Sequence, residues 1–256
     1  MFKPWLPFEW IVAIRFLREG RLQTVFILVG VAIGVGVIVF MSALLAGLQG
    51  NFIARVLSAQ SHIQLLPSKE VTRTLHATTP KEVDAAIVQP PLQRLKSMDQ
   101  WQSVLSTVRR MPDVVVASPV VGGSALAVRG SASRAISLTG VESDDYFLIV
   151  KLPDKIVRGA SRLTGQDILI GLELANDLGV DVGDKLRVAN AAGVATTLTV
   201  SGVFDLGNKG ANQRSTFVAL RTAQSVLDLL GGVTSIEVTV RDVYAAEVIA
   251  QRIQAV

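Results

Sequence analysis

At 256 residues, with 50% hydrophobic and 18% charged side chains and no cysteine, the chain is too apolar for an ordinary soluble domain, where about a quarter of residues are charged. Without cysteine there can be no disulfide frame, no thiolate metal site and no cysteine nucleophile. The net charge of +4 is spread without a dense lysine or arginine stripe, so nucleic acid is not expected as a partner.

Residues 7–18 come first. Trp10, Ile14 and Leu17 fall on one helical face with Phe16 beside them, the pattern of an amphipathic helix lying along the inner leaflet. The alternative is a basic flank of no fixed shape. From Leu22 to Ala54 there is no Asp, Glu, Lys or Arg. A membrane crossing needs about 20 apolar residues, so 22–48 is expected to be one transmembrane helix. Residues 1–21 are then a cytoplasmic or interfacial segment, and 49–256 a folded domain beyond the membrane. A signal peptide would have an apolar region of about 7–15 residues and a small-residue cleavage site. The run here is about twice as long, and Ser42-Ala43-Leu44-Leu45-Ala46 offers no clean site.

Arg15, Arg18 and Arg21 crowd the N-terminal flank, against Arg55 alone beyond the other end. Positively charged flanks stay inside, which puts the N-terminus in the cytoplasm and the main domain in the extracytoplasmic space. Gly30 and Gly34 form a G-x-x-x-G that would let a second helix approach closely, unless these are glycines scattered by chance. Val37, Phe40, Met41, Leu44 and Leu48 either line a greasy lateral cavity that meets cargo or simply face lipid.

Beyond the membrane, 61–66 suits a short strand, and 68–91, broken by Pro80, Pro90 and Pro91, a long loop. Helical spacing returns over 92–111 through Leu95, Met98, Leu105 and Val108. Strands are expected at 114–118, 124–129 and 134–141. In the second half 167–170 reads as a strand, 171–178 as a helix closed by Gly179, and 185–189 and 196–204 as paired strands. A polar loop is expected over 207–214, then a strand at 217–220. Thr222 would cap a helix over 223–230 that stops at Gly231-Gly232; a strand at 236–240 and a helix over 243–256 follow. The whole reads as an α+β domain of two lobes meeting near 142–160.

Little points to bond-making chemistry. No Gly-x-x-x-x-Gly-Lys-Ser/Thr loop is present, His62 and His76 are spaced without a metal pattern, and no Gly-x-Ser-x-Gly elbow occurs. Asp144-Asp145 reads as a solvated turn or helix cap. An enzyme is not expected, and no cofactor or metal is assigned to this chain.

The opening WIVAIRFLRE and VGVAIGVGVIVF, the run DILIGLELANDLGVDVGDKLRV, and then TLTVSGVFDLG and FVALRTAQSVL resemble the MacB/FtsX-type permeases of ABC transporters, especially the LolC/LolE and DevC branches. The most specific run places Gly171, Leu174, Ala175, Leu178, Gly179, Val180, Gly183, Asp184, Leu186 and Val188 on the family pattern, and these are structural residues. The resemblance implies a single N-terminal transmembrane helix in the bacterial inner membrane, followed by a two-lobed MacB-like periplasmic core domain. It implies the N-terminal half of a permease subunit that exports or extracts a lipophilic or envelope cargo such as lipoprotein. The implied partners are a cytoplasmic ABC ATPase subunit that binds the ATP, a second permease copy or paralogue, a periplasmic adaptor or lipoprotein, and the lipid bilayer. In the LolC branch the hairpin matching 185–204 carries a long protrusion that recruits a lipoprotein chaperone, whereas here the link is only 190–195. Three further membrane helices belong to the family pattern beyond the part matched here. The other implied role is an FtsX-like anchored module that binds and regulates periplasmic partners without transport.

Overall fold

The computed structural model describes residues 8–19, 21–57, 60–68, 95–98 and 100–254. The chain divides into two units, Met1–Val56 and Leu57–Val256.

The first unit is helical, with α1 (Phe8–Glu19) and α2 (Arg21–Leu57). At about 1.5 Å per residue, the 37 residues of α2 span about 55 Å. The stretch Leu22–Gln49 is apolar enough to cross a membrane, and none of its most apolar window is buried within the chain. The helix expected over 22–48 therefore exists but continues to Leu57. Nothing after Leu48 acts as a breaker, since the sequence to Leu57 contains no proline and helical hydrogen bonding does not require apolar side chains.

The second unit contains β1 (Ile63–Leu65), α3 (Trp101–Arg109), β2 (Val114–Arg129), β3 (Ala132–Val141), α4 (Ser143–Val150), β4 (Ile156–Gly159), β5 (Asp167–Gly171), α5 (Leu172–Leu178), β6 (Lys185–Ala189), β7 (Ala195–Phe204), α6 (Lys209–Arg214), β8 (Ser215–Ala219), α7 (Leu220–Val226), β9 (Ser235–Val240) and α8 (Ala246–Gln254). Short 3-10 turns occupy Leu152–Lys155 and Val243–Ala245. The α+β class expected from the sequence holds.

The strands form one nine-stranded sheet in the order β1-β9-β2-β3-β8-β5-β7-β4, with β6 pairing both β2 and β7. Two long strands organise it. The first part of β2 pairs with β9 and its last residues with β6, Leu126 opposite Ala189. Likewise β7 pairs with β6 at its start and with β4 at its end. The pairing β2-β3-β8-β5-β7-β6 thus closes on itself, leaving those strands no free edge.

This interleaving changes the expected division near 142–160. Among the described residues the two halves do not part there, because β2 and β3 from the first half pair with β6, β8 and β9 from the second. The two core clusters follow the sheet instead. The larger holds buried Leu138, Ile168, Leu174, Leu186, Leu198 and Ile236, and the smaller holds Val120, Val141, Tyr146, Leu152, Leu169, Phe204 and Phe217.

Several local boundaries also differ from expectation. Of the helix expected over 92–111, residues 95–98 are not helical, and α3 starts only at Trp101. The Met98 amide donates to the Val233 carbonyl at 2.8 Å, so a strand-like bridge takes the backbone that helix would need. Strands expected at 114–118 and 124–129 are one continuous β2. Pro119 is tolerated because the β3 ladder begins only at Val120, so the missing N–H falls outside that ladder. The polar loop expected over 207–214 contains α6, whose first amides, Gly210 and Ala211, donate to the Asn208 side chain, as an N-cap does. Thr222 is not a cap. The strand β8 runs straight into α7 at Leu220, and the Thr222 hydroxyl donates to the Gly165 carbonyl at 2.9 Å. That helix ends at Val226, short of Gly231-Gly232, where Asp228 takes a left-handed φ of 56°. The long loop read over 68–91 lies outside the described residues apart from Ser68.

Candidate functional site

On α2 the residues singled out in two groups share one face. At about 100° per residue, Gly30, Gly34, Val37, Met41, Leu44 and Leu48 fall within an arc of about 80°, with Phe40 about 40° outside it. Their spacing alternates four and three, the seam of left-handed helix packing. Side chains Val37, Phe40, Met41, Leu44 and Leu48 are all exposed in the chain, and a Cβ at Gly30 or Gly34 would touch nothing. The face combines a flat, small-residue end with a bulky apolar end, which suits contact with apolar matter. Arg15 and Arg18 lie in α1 and Arg21 opens α2; the side chains of Arg18 and Arg21 are outside the described residues.

The domain carries an open groove of about 930 Å³. Its walls come from the start of α3, the passage from β3 into α4, the 163–165 turn, the start of α7 and the 230–231 turn. Hydrogen bonds tie these walls together. Trp101 Nε1 donates to the Gly231 carbonyl at 3.0 Å, and Gln224 Nε2 to that of Gly232 at 2.9 Å. The Arg109 guanidinium pairs with Asp145, lies 4.0 Å from Glu142, and donates to the Ala117 carbonyl. Apolar Trp101, Leu163 and Leu220 line the groove together with Glu142, Asp144, Asp145 and Arg221, and Leu230 in the lining is 80% exposed. Such a lining offers contacts and charge rather than a nucleophile held by a base. Asp144 and Asp145, read as a solvated turn or helix cap, lie inside the first turn of α4, where carboxylates favour the helix; the N-cap position is Glu142 and no side chain caps it. The acidic run 142–145 was visible in the sequence. Its meeting with Trp101 and the 230–231 turn was not, because those contacts join residues far apart in the chain.

The 163–165 wall is fixed by a buried carboxylate. Asp167 accepts from the Thr164 hydroxyl at 2.7 Å, the Thr164 amide at 3.0 Å and Arg162 Nε at 3.2 Å. Burial alone would push its pKa up, but the Thr164 bonds and the Arg162 charge overcome that and hold it below the usual carboxylate range. A carboxyl whose folded pKa is depressed stabilises the fold above its unfolded pKa of about 3.9, and the contribution is lost as pH falls through the folded value. We therefore expect Asp167→Asn to cost about 2 kcal/mol at pH 7, with the gap to the parent closing in denaturant titrations below about pH 3. A constant gap across pH would mean that the charge plays no part.

Glu237 of β9 is pushed up by burial, against a hydrogen bond from Ser61, and burial with the nearby Glu237 charge raises the Tyr146 phenol well above its usual range. His62 lies with Nδ1 3.1 Å from the Val240 carbonyl, packed on backbone. His76 is outside the described residues. Among the described residues no three metal-ligating side chains converge.

A family model described as the MacB-like periplasmic core domain matches residues 24–256. The lipoprotein-releasing system transmembrane protein LolC of Xylella fastidiosa strain Temecula1 is 25% identical over 255 residues, covering 92% of this chain and 55% of that protein. The chain thus spans about half the length of the curated relatives it matches along nearly all of its own. Among solved structures, the extracellular domain of the ABC-type transporter YknZ from Gram-positive bacteria is 14% identical, covering 60% of this chain and 78% of that one at a TM-score of 0.47. The periplasmic region of MacB from Actinobacillus actinomycetemcomitans is 16% identical, covering 60% and 72% at 0.45.

Proposed function

The chain belongs to the family of MacB-like periplasmic core domains, and from that premise we propose that it is the N-terminal part of a permease subunit of a LolC/MacB-type ABC transporter. In this reading α2 crosses the inner membrane, the α2 seam packs on partner helices and meets lipophilic cargo such as a lipoprotein, and a separate cytoplasmic ATPase subunit supplies the drive. The observation that carries the reading is the extent of the family match. It begins within the apolar helix and runs through the domain, so membrane segment and external domain belong to one pattern. Relatives such as LolC are described as transmembrane components, which supports a role that leaves catalysis to another subunit.

Orientation is directly testable because the chain has no cysteine of its own. A single cysteine at exposed Ser131, in the turn between β2 and β3, should react with a membrane-impermeant maleimide in intact spheroplasts. Labelling only after lysis would reverse the proposed topology. For the transport reading, affinity capture of the full-length protein should bring down an ATPase whose hydrolysis rises with added lipoprotein or lipid. Capture of a cell-wall hydrolase without an ATPase would instead support the regulatory role.

A further inference from the structure

A second groove, of about 520 Å³, is bordered by the end of α6, by residues 134–137 of β3 and by Ser124 of β2. Its lining residues are rich in donors, with Arg134, Arg214, Gln213, Ser124 and Ser137 beside Ala135 and Ile136. Among the described residues no carboxylate lines it. Ser124 and Ser137 face each other across the β2–β3 ladder, so their hydroxyls share one side of the sheet.

The donors are held from behind. Asp177 at the end of α5 accepts from Arg134 Nε at 3.2 Å and from Gln213 Nε2 at 3.1 Å. Those hydrogen bonds, aided by the charges of Arg134 and Lys209, hold the Asp177 carboxyl below its usual range. One carboxylate thus orients two lining side chains that come from different elements. It does not neutralise the groove, since Arg134, Arg214 and Lys209 bring three positive charges against its one. Arg134 Nη1 gives one hydrogen to the Ser133 carbonyl, which leaves its second hydrogen and both of Nη2. Arg214 is exposed, makes no ion pair among the described residues, and stands free to engage a ligand.

We propose that this groove binds a phosphate group, with Arg134 and Arg214 as its charged donors and Gln213, Ser124 and Ser137 completing the hydrogen bonding. Planar guanidinium groups match phosphate oxygens two at a time, hydroxyls and an amide satisfy the remaining lone pairs, and the missing carboxylate removes the repulsion that would exclude the anion. Phosphate chemistry is shared by a free phosphate ester and by an anionic lipid headgroup. The site stands apart from the transport reading, because binding requires neither an ATPase nor cargo.

The test uses the full chain in a neutral detergent, titrated in one arm with inorganic phosphate and in another with the soluble short-chain lipid dihexanoyl phosphatidylglycerol, each followed by calorimetry. Arg214→Gln and Arg134→Gln should each weaken binding about tenfold, and the affinity should fall as salt rises. Arg187→Gln, on β6 away from the groove, should bind as the parent does. Because Arg134 also holds Asp177, Arg214→Gln is the cleaner variant, and its melting temperature should equal the parent's. Tighter binding of the lipid than of phosphate, lost equally in both variants, would assign the site to headgroups; equal binding would assign it to free phosphate. The proposal is overturned if the parent binds neither probe, or if both variants bind within twofold of it.

Discussion

Gly171→Ala is expected to lower the stability of the nine-stranded domain by about 3 kcal/mol, at the upper end of overpacking costs, and the melting temperature by about 10 °C for a domain of this size. The position is not special in its backbone angles, since its φ is −74°. The cost is steric. A Cβ there would stand 2.1 Å from the Asn212 carbonyl oxygen and 2.6 Å from the Asn212 Cα, and these are backbone atoms of α6 that no rotamer change can clear. Asn212 cannot retreat, because its side chain accepts from the Leu206 amide at 2.9 Å and donates to Asp205 at 2.6 Å. The substitution must therefore push α6 away from β5 as a body. Since α6 carries Gln213 and Arg214, phosphate binding should fall together with stability. Gly165→Ala, where a Cβ meets nothing and the φ is unrestricted, should leave the melting temperature unchanged within the error of a scanning fluorimetry measurement. A Gly171→Ala protein as stable as its parent would show that α6 does not bear on β5 as described.

The same glycine shows how far the sequence could be read. Its place at the end of a short strand and the start of a helix was legible, as were Leu174, Leu178 and the Gly179 stop, because each depends on neighbours within a few residues. Gly179 does take the left-handed φ of 62° expected of a helix terminator. The long apolar helix was equally legible, since its pattern rests on every residue in turn. The closeness of Gly171 to α6 was hidden, for it depends on a turn forty residues away. The same holds for the closure of β6 onto β2, which brings Val188 beside Ala127, and for the meeting of Trp101 with Gly231. Arg134, Gln213 and Arg214 gave no signal at all, because three separate elements bring them and Asp177 together. Local rules placed the elements, and long-range pairing made the grooves.

Phe204→Ala should be the more damaging change, costing about 3–5 kcal/mol of the roughly 5–15 kcal/mol that holds a domain folded. Phe204 is fully buried at the end of β7, its ring centroid 5.4 Å from that of Phe217, which in turn lies 5.9 Å from Tyr146. These three rings, with Leu152 and Leu169, form the smaller core cluster, and Tyr146 is a principal anchor of α4 upon it. Removing this end of the stack takes support from Phe217 and, through it, from Tyr146. The loss should therefore be uneven. Amide exchange should rise most in α4, whose first turn carries the acidic residues of the larger groove, and least in β6, whose Leu186 and Val188 belong to the other cluster. Phe204→Leu, which retains most of the volume, should cost no more than about 1.5 kcal/mol and leave that exchange pattern intact. If Phe204→Ala loosened β6 as much as α4 at equal denaturant, the two clusters would be one cooperative core, and the groove would have no separate support to lose.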